Sequence, residues 1–266
     1  MRLALFGGVY NNYLALRAAI ADAKRRGVDG MYCLGDLGAF GPHPDRTIEL
    51  IREFSIPCVQ GNYDHSIGHE LSDCQCGYTD PRDNYFAQIS FDYTLSNTSA
   101  ENRAFLRTLP PEIRLNVHGR RVLLCHGSPR RTNEFLWEST TSTAFLERLA
   151  EEHAADAIFA THTGLHWQRG LSGGRLFANV GVLGRPANDG TTRVWYAVAE
   201  FSEHGRVEDG PVCTVDFVPI EYDHRRLARE MRAEGLPEEF VETILTGWWT
   251  TCMEILPAKE RRRGRY

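Results

Sequence analysis

The sequence has no long apolar run and no signal-peptide pattern. None of its hydrophobic stretches approaches the roughly 18 residues of a membrane-spanning helix, and the N-terminal MRLALFGG lacks the apolar region and cleavage site of a secretory signal. An excess of positive charge is also missing, since 30 Lys and Arg stand against 35 Asp and Glu. Nucleic acids are bound through such an excess. We therefore expect a cytoplasmic protein without a membrane partner that does not bind nucleic acid.

Cysteine is present in an odd number, seven, in a chain without a secretory signal. This argues against a disulfide scaffold, because such scaffolds belong mainly to secreted proteins. Five cysteines are interpreted as small buried hydrophobic residues: Cys33, Cys58, Cys125, Cys213 and Cys252. Cys74 and Cys76 lie close together in a polar loop. They are either structural or free thiols, or they line a site as soft-metal ligands or as a redox pair.

The rest of the composition suits a folded domain, with 42% hydrophobic and 11% aromatic residues among 266. Strand and helix signals alternate over the first 60 residues: strands are predicted at 2–7, 30–34 and 56–60, and helices from Asn12 and Pro44. Such alternation is typical of a parallel sheet, whose ligands lie beyond the carboxyl ends of the strands. From residue 112 onward the strand signals are spaced as hairpins. We predict two sheets packed face to face with helices outside.

Two segments depart from this pattern. Residues 65–97 read as an insertion loop within a main domain over 1–235. Residues 236–266 read as a helical C-terminal extension, which ends in the basic tail KERRRGR at 259–265. This extension is expected to pack on the body or on a second subunit, which would make a homo-oligomer. Alternatively it closes over the crevice and contributes Trp249 or Cys252 to substrate recognition.

Polar side chains with metal-binding capacity follow separate predicted strands. They are Asp36, Asn62, His126 and His162. A carboxylate, an amide oxygen and two imidazoles are a suitable ligand set for a divalent transition metal. Because the three loops over the first 60 residues point toward one crevice, we expect these side chains to converge there.

The motifs around these residues resemble those of the calcineurin-type metallophosphoesterases. The resemblance covers about residues 1–235, and its motifs are GD at 35–36 with GP at 41–42, GNYD at 61–64, CHGSP at 125–129, THT at 161–163 and NVGVLGRP at 179–186. It implies an α/β fold, a four-layer αββα sandwich of two mixed β-sheets flanked by helices. It also implies hydrolysis of phosphomonoesters or phosphodiesters by two metal ions.

The resemblance is incomplete in a systematic way. The Asp-x-His motif of the family falls on Gly8-Val9-Tyr10, and its last His falls on Gly164. Three of the four ligands of one family metal are thus missing. The ligands of the other metal all remain, as Asp36, Asn62, His126 and His162. We therefore predict one divalent transition metal ion per chain: Mn, Fe or Zn.

Further site residues are assigned by their nearness to these motifs. Tyr63 stands where the family has the His that assists the leaving group, and three neighbours of the motifs join it as catalytic candidates: Asp64, His65 and His43. The substrate-binding candidates are Gly8, Tyr10, Asn11 and Arg185. The stretch from Gly8 to Asn11 either caps the first helix or leaves backbone N–H groups free to hold an anion. His166, Cys74 and Cys76 are additional residues that could line the site.

Three functions remain open on this basis. The leading one is a divergent phosphoesterase that hydrolyses a small phosphorylated or other anionic substrate with one metal ion. The second is a catalytically inactive phosphoesterase fold that binds a nucleotide or a partner. The third is a non-hydrolytic enzyme that uses a single Fe or Mn ion.

Overall fold

The computed structural model describes residues 1–202 and 212–262. The strands are β1 (Arg2–Phe6), β2 (Gly30–Cys33), β3 (Glu112–Val117), β4 (Arg120–Cys125), β5 (Ala157–Ala160), β6 (His166–Gly170), β7 (Leu176–Val180), β8 (Val194–Glu200) and β9 (Thr214–Ile220). The helices are α1 (Tyr13–Arg25), α2 (Pro44–Glu53), α3 (Asn62–Gly68), α4 (Pro81–Ser96), α5 (Ala100–Arg107), α6 (Thr143–Glu152), α7 (His224–Ala233), α8 (Glu238–Thr246) and α9 (Ala258–Arg262). A short 3₁₀ turn covers Ser172–Gly174.

The strands form two mixed sheets. The first has the order β2-β1-β8-β9, with β1 parallel to β2 and antiparallel to β8. The second has the order β3-β4-β5-β7-β6, with a parallel centre of β4, β5 and β7 between two antiparallel edge strands. The carboxyl ends of β2, β4 and β5 carry the loops that supply most of the polar residues described below.

Alternation along β1 explains the layers. Successive side chains of a strand point to opposite faces. Leu3 and Leu5 belong to an apolar cluster built from both sheets, whereas Ala4 and Phe6 belong to a cluster shared with helices α1, α2, α7 and α8. Helix α6 covers the outer face of the second sheet in a further cluster. The predicted four-layer αββα sandwich of two mixed sheets is confirmed.

Two local predictions differ from the structure. The strand expected at 56–60 is only an isolated parallel bridge between Cys33 and Cys58. Pro57 has no N–H to donate to a sheet, and its carbonyl accepts from the amide of Cys33. The segment 65–97, expected to be a loop, contains α4, which starts at the capping residue Asp80. The domain boundary at residue 235 stays a prediction.

The C-terminal extension packs on the body of the same chain. The Trp249 indole Nε1 donates to the carbonyl of Pro186 at 2.6 Å, and Trp249 and Leu256 share an apolar cluster with Trp137. Residues 263–265 of the basic tail lie outside the described residues. No helix in the described ranges is long and apolar enough to cross a membrane. Cytoplasmic location, homo-oligomer formation and lack of nucleic-acid binding stay predictions.

Candidate functional site

Three titratable side chains from separate loops meet in the interior. Asp36 follows β2, His126 follows β4 and His162 follows β5. One ligand atom of each lies within 4.8 Å of the others, and all three side chains are buried. The loops of the two sheets therefore bring together residues that are up to 126 positions apart in the sequence.

Buried atoms without hydrogen-bond partners make this place a candidate metal site. They are Asn62 Oδ1, His126 Nε2 and His162 Nε2, which have no partner in the part of the chain that the structure describes. Buried polar atoms are normally paired, so three orphans in one region need a physical reason. Each is an atom type that coordinates Zn, Mn or Fe. The donors present thus fit a divalent transition metal.

His126 is oriented by its other ring nitrogen. Nδ1 lies 2.6 Å from the carbonyl oxygen of Leu34, so this nitrogen carries the proton and donates it. Nε2 is left with its lone pair toward Asp36, whose Oδ2 is 3.2 Å away. Burial opposes protonation, but the carboxylate of Asp36 outweighs it and raises the pKa of His126. A metal-binding histidine is usually oriented by a carbonyl or carboxylate that accepts from its other ring nitrogen.

His162 has the opposite electrostatic setting. Burial, together with the neighbouring His126, lowers the pKa of His162 to about 3. The imidazole is therefore neutral at neutral pH. A metal ion requires the neutral form of this ligand.

A local network holds the Asp36 carboxylate. Its Oδ1 accepts from the amide of Tyr63 at 3.0 Å, and its own amide donates to Asp64 Oδ2 at 2.8 Å. The backbone at residue 61 passes so close that a Cβ there would lie 2.2 Å from Asp36 Oδ1, which only glycine permits. The GD and GNYD motifs are thus the two halves of one packed corner.

Asp64 supports this corner rather than the cavity. It accepts hydrogen bonds from the backbone amides of Asp36, Leu37 and Gly61, and it is fully buried. Burial and the nearby Asp36 raise the pKa of Asp64 to about 6. The oxygens of Asp64 are thus occupied by backbone donors, and its catalytic role stays a prediction.

A small cavity of about 40 Å³ adjoins the metal site. This volume holds a few water molecules. Its wall is largely aromatic, with polar groups at a few points. The lining residues are Tyr10, Asp36, Ala39, Phe40, Asn62, Tyr63, Cys76, Tyr78, Phe86, Ala87, Ser90, His162, Arg185, Phe240, Thr251 and Cys252.

Arg185 brings a buried positive charge to this cavity. Its guanidinium carbon lies 3.6 Å from the ring centroid of Trp249, and the residue is 6% exposed. Its Nε has no hydrogen-bond partner among the described residues, and none of the ion pairs found there includes Arg185. A buried cation without a counter-ion is costly, which favours an anionic ligand beside it.

Two tyrosines of the cavity wall keep their protons. Burial raises the pKa of both Tyr10 and Tyr63 well above the ordinary value. The Tyr63 hydroxyl donates to the carbonyl of Ala87 at 3.2 Å. At neutral pH these phenols are hydrogen-bond donors and not bases.

Three predicted histidines lie outside the cavity. His43 caps α2, where its Nε2 is 3.5 Å from Glu230 Oε2. His65 is on the surface with its ring against His69, and His166 packs against Trp195. None of the three lines this cavity, and the catalytic roles of His43 and His65 and the site-lining role of His166 stay predictions.

The backbone amides of the loop from Gly8 to Asn11 have acceptors inside the protein. The amide of Gly8 donates to Thr161 Oγ1, those of Val9 and Tyr10 donate to Asp36, and that of Asn11 donates to Leu37. Nδ2 of Asn11 donates to the carbonyl of Gly41 and to Thr94 Oγ1. Because these donors are paired inside the protein, the substrate-binding roles of Gly8 and Asn11 stay predictions. Tyr10 and Arg185 do reach the cavity.

The two cysteines of the polar loop form a disulfide. Cys74 and Cys76 are bonded to each other, and both are buried. Cys76 also lines the cavity. Of the two interpretations given for this pair, the site-lining one applies to Cys76.

Several cavity residues were not found by sequence reasoning. Phe40, Tyr78, Phe86 and Phe240 come from four separate segments, and no local motif marks them. One of the two placements predicted for the C-terminal extension is closure over the crevice. It does contribute Thr251 and Cys252 to the cavity, while Trp249 covers Arg185.

Comparisons with known proteins agree with this architecture. The family model described as calcineurin-like phosphoesterase superfamily domain matches residues 1–204. An uncharacterized protein from Methanocaldococcus jannaschii is 25% identical over 262 residues, which is 92% of this chain and 98% of that protein. The segment that the family model matches, residues 1–204, contains all the predicted metal ligands and Arg185.

Solved structures also resemble this chain over nearly its whole length. A metallophosphoesterase from Sphaerobacter thermophilus has a TM-score of 0.68 and 26% identity, covering 93% of this chain and all (100%) of that one. A hypothetical protein from Pyrococcus horikoshii has a TM-score of 0.75 and 21% identity, covering 94% of this chain and 99% of that one. The second similarity supports the fold alone.

Proposed function

Because the chain belongs to the calcineurin-like phosphoesterase superfamily, we propose that it hydrolyses a phosphomonoester or phosphodiester with one divalent transition metal ion. One observation carries this proposal. The unpaired ligand atoms of Asn62, His126 and His162 lie beside a cavity whose wall contains the buried cation of Arg185. A metal-bound phosphate group is the ligand that would use both features.

Asp36, Asn62, His126 and His162 would hold the ion. When bound, a Mn, Fe or Zn ion polarises a phosphoryl oxygen and makes a bound water more acidic. Gly164 stands where the family motif has its last His. A Cβ added at Gly164 would lie 2.7 Å from the ring of Trp249. Since Trp249 and Arg185 fill this side of the site, we propose a single ion per chain.

Arg185 would supply the second positive charge that the phosphoryl group needs. A guanidinium forms paired, charge-assisted hydrogen bonds to phosphate oxygens. In a buried site such a preorganised donor stabilises the charge that develops in the transition state. Tyr10, which is protonated, is placed to donate a further hydrogen bond to the substrate, whereas the Tyr63 hydroxyl already donates to the carbonyl of Ala87.

The cavity limits which substrates can bind. Its volume of about 40 Å³ is room for a few waters and not for a complete phosphate ester. Thr251 and Cys252 form one wall. We propose that the C-terminal residues 249–252 move outward when a small phosphorylated substrate binds.

Turnover of bis(4-nitrophenyl) phosphate with added Mn²⁺ tests the hydrolytic function. We expect metal-dependent release of nitrophenol that falls to background in His126→Ala, because this variant lacks one of the four ligands. His153→Ala is the matched control, since His153 ends α6 far from the cavity and its change should leave the rate unaltered. Equal rates in His126→Ala and the unaltered protein would show that the activity does not come from this site.

The small cavity favours one other function, the binding of an anion without turnover. In that case the same assay gives no product with Mn²⁺, Fe²⁺ or Zn²⁺, while the metal still raises the melting temperature. Because His126→Ala removes the metal ligand, that increase should also be lost in the variant.

A further inference from the structure

The disulfide loop holds the side chain of Asn62. The Asn62 Nδ2 group donates to the carbonyl of Cys74 at 2.8 Å and lies 3.4 Å from Cys76 Sγ. A carbonyl can only accept, so the nitrogen and not the oxygen of the amide must face this loop. As a result Oδ1 points away from the loop, buried and unpaired. The loop thus determines that an oxygen is presented to the metal site.

The Cys74–Cys76 disulfide closes this loop into a small ring. Gln75 inside the ring has a φ of 52°, an unusual backbone state for a residue with a side chain. The ring is tied to the body through Asn133, whose Nδ2 donates to the carbonyl of Gln75 at 2.9 Å. With the disulfide intact, the carbonyl of Cys74 is part of this ring and cannot rotate freely. Without it, the three-residue segment gains the freedom of an ordinary loop.

We propose that the Cys74–Cys76 disulfide controls the metal affinity of the site by positioning Asn62. This inference rests on the proposed function, because it assumes that Asn62 binds the metal. A dithiol reductant would supply two electrons and two protons, breaking the S–S bond, giving two thiols and becoming a disulfide itself. The reduced loop releases Asn62 from its fixed orientation, and the metal binds more weakly.

Isothermal titration of Mn²⁺ into the full chain tests the inference. One sample keeps the disulfide, and the other is reduced with a dithiol that is then removed without air. Thiol counting with a disulfide reagent verifies the two states. Loss of a hydrogen-bond partner that orients a metal ligand costs about 10- to 100-fold in metal affinity. We therefore expect the reduced protein to bind Mn²⁺ more weakly by that factor. This comparison needs no substitution.

Two variants give matched controls. The double variant Cys74→Ser with Cys76→Ser should bind Mn²⁺ as weakly as the reduced protein, with or without reductant. Cys252→Ser should respond to reduction as the unaltered protein does, because Cys252 lines the same cavity but is a free thiol. Thermal melting of each variant verifies that it is folded.

The outcomes separate this inference from the proposed function. Equal Mn²⁺ affinity of the oxidised and reduced proteins overturns the redox control and leaves the metal site in place. Absence of Mn²⁺ binding in both states overturns the metal site and with it both proposals. A response to reduction that persists in the double variant but is lost in Cys252→Ser would assign the effect to Cys252 and would also overturn the inference.

Discussion

Arg185 can make two interactions at once that a lysine cannot: stacking on an aromatic ring and paired hydrogen bonds to an anion. Its planar guanidinium stacks on Trp249 and still has N–H donors at its edge for a phosphate group. A lysine ammonium is a point charge without a flat face, and it is more strongly hydrated. The sequence around NVGVLGRP indicated a substrate residue here. Its counterpart, Trp249, comes from a segment more than sixty residues later.

Substitution of Arg185 measures its share of anion binding. Arg185→Gln should weaken the inhibition of hydrolysis by inorganic phosphate about 10- to 100-fold, since a hydrogen bond to a charged group contributes about 1.5–3 kcal/mol. The inhibition constant from steady-state rates is the measurement. Arg193→Gln is the control, because Arg193 also lies over a tryptophan, Trp195, but outside the cavity. An unchanged constant in Arg185→Gln would remove the proposed role.

The C-terminal extension is held over the cavity by buried polar contacts. Glu260 is 4% exposed and accepts from the amide and hydroxyl of Ser139, the amide contact being 2.8 Å. Asp83 Oδ2 accepts from the amide of Ile255 at 2.9 Å. Burial raises the pKa of the Asp83 carboxyl, and that is the main cause. The extension therefore has two definite attachment points, Ile255 and Glu260, which follow the cavity residues Thr251 and Cys252 in the chain.

Loss of one attachment should make the extension open more often. Glu260→Ala removes the contacts to Ser139, each worth about 1–3 kcal/mol when a buried partner is left unpaired. We expect the amides of Trp249 and Ile255 to exchange with solvent deuterium roughly ten- to a hundredfold faster, measured by mass spectrometry of peptides.

Glu254→Ala is the control for this experiment. Glu254 pairs with Arg261 on the exposed surface at 3.0 Å, and such pairs contribute little. Faster exchange in both variants alike would mean that the Glu260 contact does not restrain the extension.

At the scale of the whole molecule, the packing of the two sheets forms the candidate metal site. β2 lies in the first sheet, and β4 and β5 in the second, so the ligands meet only when the sheets pack. On the other side of Asp36, Tyr10, Arg185 and Trp249 occupy the space with bulky side chains. The packing of the layers thus supports the single ion that the motifs predicted.

Metal analysis of the purified chain should find one tightly bound ion per chain after loading with Mn²⁺. Because the ion binds only the folded state, free metal at about 100 times the Kd should stabilise folding by about 2.7 kcal/mol. This gives a rise of several degrees in melting temperature that His126→Ala lacks and His153→Ala keeps. Two tightly bound ions, or none at any loading, would contradict the one-site interpretation.

The sequence by itself determined the layered α/β fold and the four candidate ligands. Both follow from local rules: apolar alternation defines the strands, and Asp36, Asn62, His126 and His162 each stand just after a predicted strand. These rules act over a few residues, so a single sequence displays them.

Only the tertiary structure decided which neighbours of those ligands face the cavity. Asp64 accepts a hydrogen bond from the amide of Asp36, and Trp249 covers Arg185. His43 lies near Glu230, and His65 lies against His69. The disulfide loop accepts a hydrogen bond from the side chain of Asn62. The physical reason is that contacts between segments far apart in the chain depend on how whole layers pack, and no local pattern encodes that packing.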